Sequence, residues 1–153
     1  THARPERIHV ADRIIGRLEH LQRLHASWPD GTPLVPHHTI DNASAGDLLK
    51  WMPPGSLIVN ATGVGKDTPG SPLPAGALFP ESGLVWEFNY RGDLLFLEQA
   101  RAQQASRNLR IEAGWNYFLH GWTRVIADVF NREIPTEGPV FDALGRLAAS
   151  VRG

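Results

Sequence analysis

The sequence of 153 residues predicts an α/β domain, a mostly parallel sheet flanked by helices. Three observations lead there. Short apolar runs alternate with segments of helical spacing along the chain, the pattern of repeated strand–helix units. The run Leu57-Ile58-Val59 is apolar throughout, as suits a strand covered on both faces of a parallel sheet. Pro, Gly and Asp stand where these segments have to stop.

The elements follow in order. Arg7 to Ala11 alternates apolar residues and predicts a short strand ending at Asp12. From Arg13 the spacing becomes helical, with Ile14, Leu18, Leu21 and Leu24 on one face, until Trp28-Pro29-Asp30-Gly31 ends it. Leu34 to Ile40 predicts a weak strand, interrupted by Pro36. Asn42 to Trp51 predicts a short helix capped by Asn42 or Ser44 and ended by Pro53-Pro54-Gly55. Leu57 to Val59 is the next strand, running into Asn60-Ala61-Thr62-Gly63. Asp67 to Gly83, rich in Pro and Gly, predicts an ordered loop at most. Gly83 to Phe88 is a strand. Asp93 caps a helix to about Ala105, with Leu94, Leu97 and Ala100 inward. Leu109 to Ile111 is the last strand. Gly114 opens a helix whose Trp115, Phe118, Leu119, Trp122, Ile126 and Val129 form a broad apolar stripe, with both Trp expected in the core. Pro135 to Gly138 breaks the chain, and Val140 to Val151 forms a closing helix.

Composition narrows the function. The chain is 42% hydrophobic and 20% charged, long enough for one domain with its own core. Lys plus Arg is 15 and Asp plus Glu is 16, so no basic excess points to nucleic acid or an anionic membrane. With no Cys, disulfides, thiolate catalysis and Cys-ligated metals are excluded. No apolar run reaches the roughly 18 residues of a membrane span, and no secretory pattern opens the sequence, so a cytoplasmic protein is expected. The first residue is Thr1 and the single Met is Met52, which fits a chain beginning mid-gene.

Ligands of parallel sheets sit at the carboxyl ends of the strands. Two such ends are informative. Asp12, between a strand and a helix, is placed to hydrogen-bond ribose hydroxyls, with Arg13 beside it for a 2′-phosphate or an adenine. The same Asp serves equally as a helix cap or a surface ion pair. Asn60 to Gly65 is a polar, glycine-rich turn where Gly63 and Gly65 admit close approach of a ligand. It is not a phosphate loop: that motif needs Gly where Asn60 stands, and Ser or Thr where Asp67 stands. Tyr90 follows a strand and could meet a polar substrate. His20, His25, His37 and His38 predict surface or edge positions, and none has zinc-ligand spacing.

Asn60-Ala61-Thr62-Gly63-Val64-Gly65 resembles the Asn-Ala-Thr turn, closely followed by Gly, of the shikimate/quinate dehydrogenase family. Three more stretches match in order. Val85-Trp86-Glu87-Phe88-Asn89-Tyr90 resembles the strand whose Asp-x-x-Tyr brings a tyrosine to the substrate. Gly114 to Gly121 resembles the Gly-x-x-Met-Leu-x-x-Gln opening of a late helix. Val10-Ala11-Asp12-Arg13 resembles the Asn-Arg-Thr ribose reader. Together they cover nearly the whole chain.

The resemblance implies a Rossmann-like NAD(P)-binding domain over residues 1–153, the C-terminal portion of a two-domain oxidoreductase of aromatic amino acid biosynthesis. It would act on a polyhydroxylated cyclic acid such as shikimate or quinate. Asp12, Arg13, Asn60, Ala61, Thr62, Gly63 and Gly114 would bind the cofactor, and Tyr90 and Tyr117 the substrate. Asp12 replaces the family's Asn, a change seen in NAD-preferring members, so NAD is expected, with NADP open. Tyr117 replaces the family's Met, Gly121 its substrate-bonding Gln, and Tyr90-Arg91-Gly92-Asp93-Leu94 its Asn-Pro-x-x-Thr-Pro. The glycine-rich fingerprint belongs about 20 residues before the ribose reader, and Asp12 leaves no room for it. The family's catalytic Lys and Asp belong to an N-terminal substrate domain. No catalytic residue is therefore assigned in this chain, and Arg7 to Ala11 would be the second strand of a sheet whose central first strand is lacking. Expected partners are the hydroxy-acid substrate and that N-terminal domain, with a homodimer open. The rival reading is a non-catalytic dinucleotide-binding or interaction module of the same fold.

Overall fold

A computed structural model describes residues 4–28 and 31–151. The chain is α/β and Rossmann-like: five strands, all paired in parallel, with helices packed against them. The order is β1 (Ile8–Asp12), α1 (Ile15–Ala26), β2 (Leu34–His38), α2 (Asn42–Leu49), β3 (Leu57–Asn60), β4 (Leu84–Glu87), α3 (Leu95–Arg107), β5 (Arg110–Glu112), α4 (Gly114–Phe130) and α5 (Pro139–Ser150). The strands form two sheets, β1-β2 and β3-β4-β5, where one was expected. Among the described residues no strand joins β1 to β3, so each keeps one unpaired edge. Helix α2 links the two halves. It follows β2, and its Leu49 joins the core beneath the second sheet, while Asn42 Nδ2 donates to the Ser71 carbonyl at 2.8 Å.

Several local expectations change. Pro36 sits inside β2 without breaking it, because β2 is an edge strand with one neighbour. On α1 only Leu18 is buried; Leu24 is exposed, since this helix meets just a two-stranded sheet. Pro29 and Asp30, in the predicted turn after α1, lie outside the described residues. The cap of α2 is Asp41, not Asn42 or Ser44. Its Oδ1 accepts the Ser44 N–H at 2.8 Å, and Ser44 Oγ accepts the Asp41 N–H at 3.2 Å. That bond from the Ser44 N–H holds the Asp41 carboxyl below its ordinary pKa. Asp93 does not cap α3: Leu94 does so in a left-handed conformation, and Asp93 Oδ2 accepts the Gly70 N–H at 2.9 Å.

Strand alternation divides the second sheet cleanly. One face carries Ile58, Asn60, Val85, Glu87 and Ile111, which the parallel register sets side by side. Phe96 and Ala100 of α3 and Leu49 of α2 pack on it with Val85. The other face carries Leu57, Val59, Trp86 and Phe88. Strand β3 is thus covered on one face only, not two, with Leu57 52% and Val59 39% exposed. Helix α4 reaches that face at Trp86 and Phe88, through Tyr117, and leaves Leu57 and Val59 open.

The loop between β3 and β4 is more than a connector. It has no helix or strand, yet Leu73, Ala77 and Phe79 are buried in the core, and Phe79 meets Phe96 edge-on at 5.5 Å. Gln99, Gln103 and Arg107, spaced four apart on one face of α3, hold its backbone. Gln99 Nε2 donates to the Pro74 carbonyl at 3.1 Å and Gln103 Nε2 to that of Ala77 at 2.9 Å, and Arg107 Nε donates to that of Phe79.

The α4 stripe is not a core stripe. Leu119 is buried, but Trp122, Ile126 and Val129 are exposed, and Trp115 is half-buried. Helix α5 contributes no buried residue and touches α4 through the stacked rings of His120 and Phe141, 4.5 Å apart. Among the described residues no helix is long and apolar enough to cross a membrane.

Candidate functional site

A cavity of about 530 Å³ opens where β3 and β4 end and α4 begins. Its polar wall is the turn Ala61-Thr62-Gly63 with Lys66 and Asp67. Phe88, Asn89 and Tyr90 form the next side, and Tyr117, Phe118, Gly121, Trp122 and Val125 of α4 the third.

The turn is rigid because a buried polar network stands beneath it. Asn60 and Glu87 are register partners on the core face, 1% and 0% exposed. Asn60 Nδ2 donates to Glu87 Oε2 at 2.8 Å. Asn60 Oδ1 accepts both Thr62 Oγ1, at 2.7 Å, and the Thr62 N–H, at 3.1 Å. Glu87 Oε1 accepts the Asn89 N–H at 2.8 Å, and Asn89 Nδ2 donates to the Val64 carbonyl at 3.0 Å. One carboxyl therefore ties together the ends of two strands and the loop above them. Burial pushes the Glu87 carboxyl above its ordinary range, and the hydrogen bonds from Asn89 and Asn60 pull against that rise without overcoming it.

Most of the loop's N–H groups are satisfied within it. The N–H groups of Thr62, Val64, Gly65, Lys66, Asp67 and Thr68 all bond within it. A phosphate cradle needs such groups free and pointing at the anion, so the failed phosphate-loop motif has a structural counterpart. Gly92 is the second constraint. At φ +96°, its α-carbon lies so close to the Gly65 carbonyl and the Lys66 backbone that no side chain fits.

The predicted residues divide into two groups. Ala61, Thr62, Gly63, Tyr90 and Tyr117 are brought together in the cavity. Asn60 stands behind the wall with its side chain fully engaged. Gly114 is also behind it, and its reason is packing: a β-carbon there would collide with the Phe88 and Asn89 carbonyls. Asp12 and Arg13 lie at the end of β1 and are not among the lining residues. Asp12 Oδ1 accepts the Ile14 N–H at 2.7 Å, and Asp12 lies 3.8 Å from Arg17. Those are the contacts of an Asx turn leading into α1, whose N-cap is Ile14 with no side-chain cap bond, and of a surface ion pair. Arg13 Nη2 reaches Asn42 Oδ1 at 3.5 Å.

Phe88, Phe118, Trp122 and Val125 were not singled out as site residues. Phe118 and Trp122 had a signal, since they belong to the apolar stripe of α4, but a stripe reads as core until its neighbours are known. Rings pave this side: Tyr90 stacks on Phe118 at 3.9 Å and Phe88 on Tyr117 at 4.9 Å. Of the four histidines, His20 is exposed, His25 is half-buried against Trp28, and His37 and His38 stand on edge strand β2. Burial, then the neighbouring His9 ring nitrogen 2.9 Å away, lowers the His37 pKa. Among the described residues no group of three His, Asp or Glu could hold a metal ion.

No family model, no curated protein and no solved structure matches the chain.

Proposed function

We propose that this chain is the cofactor-binding portion of a cytoplasmic NAD(P)-dependent oxidoreductase acting on a polyhydroxylated cyclic acid such as shikimate or quinate. One observation carries the reading. A single cavity at the carboxyl ends of parallel strands gathers Ala61, Thr62 and Gly63 with Tyr90 and Tyr117. Its volume, about 530 Å³, lies within the range of small-molecule sites.

The lining fits the nicotinamide half of a dinucleotide. Ala61 and Gly63 have little or no side chain, and the aromatic wall suits a flat ring. When bound, NAD(P) supplies the hydride chemistry. The chain's own residues bind and orient: Thr62 and the small residues beside it shape the cofactor wall, and the Tyr90 and Tyr117 phenols meet substrate hydroxyls. Asp12 and Arg13 would hold the adenosine ribose from the other sheet. The N–H groups of Thr62 and of Val64 to Thr68 do not serve the pyrophosphate, because they are already engaged within the loop.

A titration with NADH and with NADPH, followed by tryptophan fluorescence, tests the reading, because Trp122 lines the cavity. Saturable quenching by at least one cofactor, strengthened by shikimate or quinate, is expected. Absence of saturable binding by both cofactors refutes it. The second reading, a non-catalytic binding module, is favoured by open space at Gly121, where the resembled family places a substrate-bonding Gln. Cofactor binding indifferent to both acids would select it.

A further inference from the structure

We propose that Lys66 and Arg91 form an anion-recognition site at the mouth of this cavity. It would take the carboxylate of the substrate or a phosphate of the cofactor. The proposal rests on the cavity being a ligand site.

Both cations are held on one aromatic platform. Lys66 Nζ lies 5.9 Å from the centre of the Tyr90 ring and the Arg91 guanidinium 5.8 Å, each within cation–π range. Tyr90 is itself fixed, stacked on Phe118 at 3.9 Å. Asp67 is the shared counter-ion, 3.2 Å from Lys66 Nζ and 4.0 Å from Arg91 Nη2. One carboxylate between two cations leaves a positive charge over. Arg91 is not itself a lining residue and stands beside the cavity on Tyr90, while the other acid of these loops, Asp93, is turned to the Gly70 N–H and away from this pair's shared counter-ion.

Placement separates Lys66 from an ordinary surface lysine. Its side chain is 25% exposed, against 74% for Lys50, and it lines the cavity. A cation partly removed from water gains more from an arriving anion than an exposed one. The Lys66 head is also pre-positioned by Asp67 at 3.2 Å, so little of its side-chain freedom is lost on binding. The N–H groups of Thr62 and of Val64 to Thr68 are engaged within the loop, so these two side chains supply the charged donors on this side.

The test uses the 153-residue chain and its Lys66→Gln/Arg91→Gln variant at low salt, with circular dichroism to verify folding. Calorimetric titrations compare shikimate with its uncharged methyl ester, and NADH with inorganic pyrophosphate. If the substrate carboxylate is the anion, the wild type prefers shikimate over the ester by about tenfold or more, the scale of one charge-assisted hydrogen bond, and the variant loses that preference. If a cofactor phosphate is the anion, NADH and pyrophosphate weaken about tenfold or more in the variant while acid and ester bind alike. Equal binding of every probe by both proteins overturns the proposal, as does failure of the wild type to bind any anion. NADH bound equally by both proteins, with no acid preference, leaves the oxidoreductase reading standing and removes this one. Pyrophosphate binding lost in the variant, without NADH binding by the wild type, does the reverse.

Discussion

Replacing Asn60 by Asp turns the central hydrogen bond of the site into a repulsion between two buried carboxyls. Asn60 Nδ2 stands 2.8 Å from Glu87 Oε2, and both side chains are essentially inaccessible. Two unit charges at 2.8 Å repel by about 6 kcal/mol at an effective dielectric of about 20. The repulsion raises the titration of the pair, so it holds one proton at pH values where the unfolded chain has lost both. The sign follows from linkage. The folded protein holds this proton more tightly than the unfolded chain, so stability is full below the ordinary carboxyl range and falls as pH rises. Glu87 already lifts its own titration in the wild type. Above that point N60D loses about 1.4 kcal/mol per pH unit relative to wild type, up to the roughly 6 kcal/mol of the full repulsion. Urea unfolding at several pH values between about 5 and 9, read by tryptophan fluorescence, measures the slope. N60A is the control: it breaks the same bonds without adding a charge, so its deficit stays flatter with pH. An N60D deficit that does not grow with pH refutes the buried pair.

Three further outcomes are expected. Gly92→Ala forces a β-carbon into the Gly65 carbonyl at a left-handed φ, so stability falls by about 3 kcal/mol or more in urea melts and ligand binding in the cavity weakens with it. Gly121→Gln meets open space on α4 and supplies the donor that the resembled family places there. Shikimate should bind about fivefold tighter by calorimetry, the value of one added hydrogen bond, and no gain would argue that the substrate lies elsewhere. Asp12→Ala removes the acceptor of the Ile14 N–H and costs about 1 kcal/mol in urea melts. It should also weaken NADH more than NADPH in fluorescence titrations, and equal loss for both would leave Asp12 only its bond to the Ile14 N–H and its ion pair with Arg17.

The elements were legible because their signals are local. Alternation marked β1, a short apolar run marked β3, helical spacing marked α1 and α4, and Pro and Gly marked the stops. What could not be read is long-range. Asn60 bonds Glu87 across 27 positions and Gln103 bonds the Ala77 carbonyl across 26, and no window of sequence holds either pair. For the same reason the Pro-rich loop looked like a connector, although it buries Phe79. Burial failed in the opposite sense on α4. Periodicity shows that a helix has an apolar face, but not how much of that face its neighbours cover. Leu119 is buried and Trp122 is 55% exposed on the same stripe.

The two informative strand ends show how much a residue type can decide. At Asp12 the sequence allowed a ribose contact, a cap or an ion pair, and the folded chain displays the ion pair together with an Asx-turn bond to the Ile14 N–H in place of a cap. These contacts do not compete with a ribose for every lone pair, because a carboxylate accepts at both oxygens. Asn60 offers no such latitude. Its oxygen accepts twice from Thr62, its amide donates to Glu87, and no face remains for a ligand. The Asn of the turn therefore acts by positioning. It sets where Ala61, Thr62 and Gly63 stand, and those three line the cavity with Lys66, Tyr90 and Tyr117.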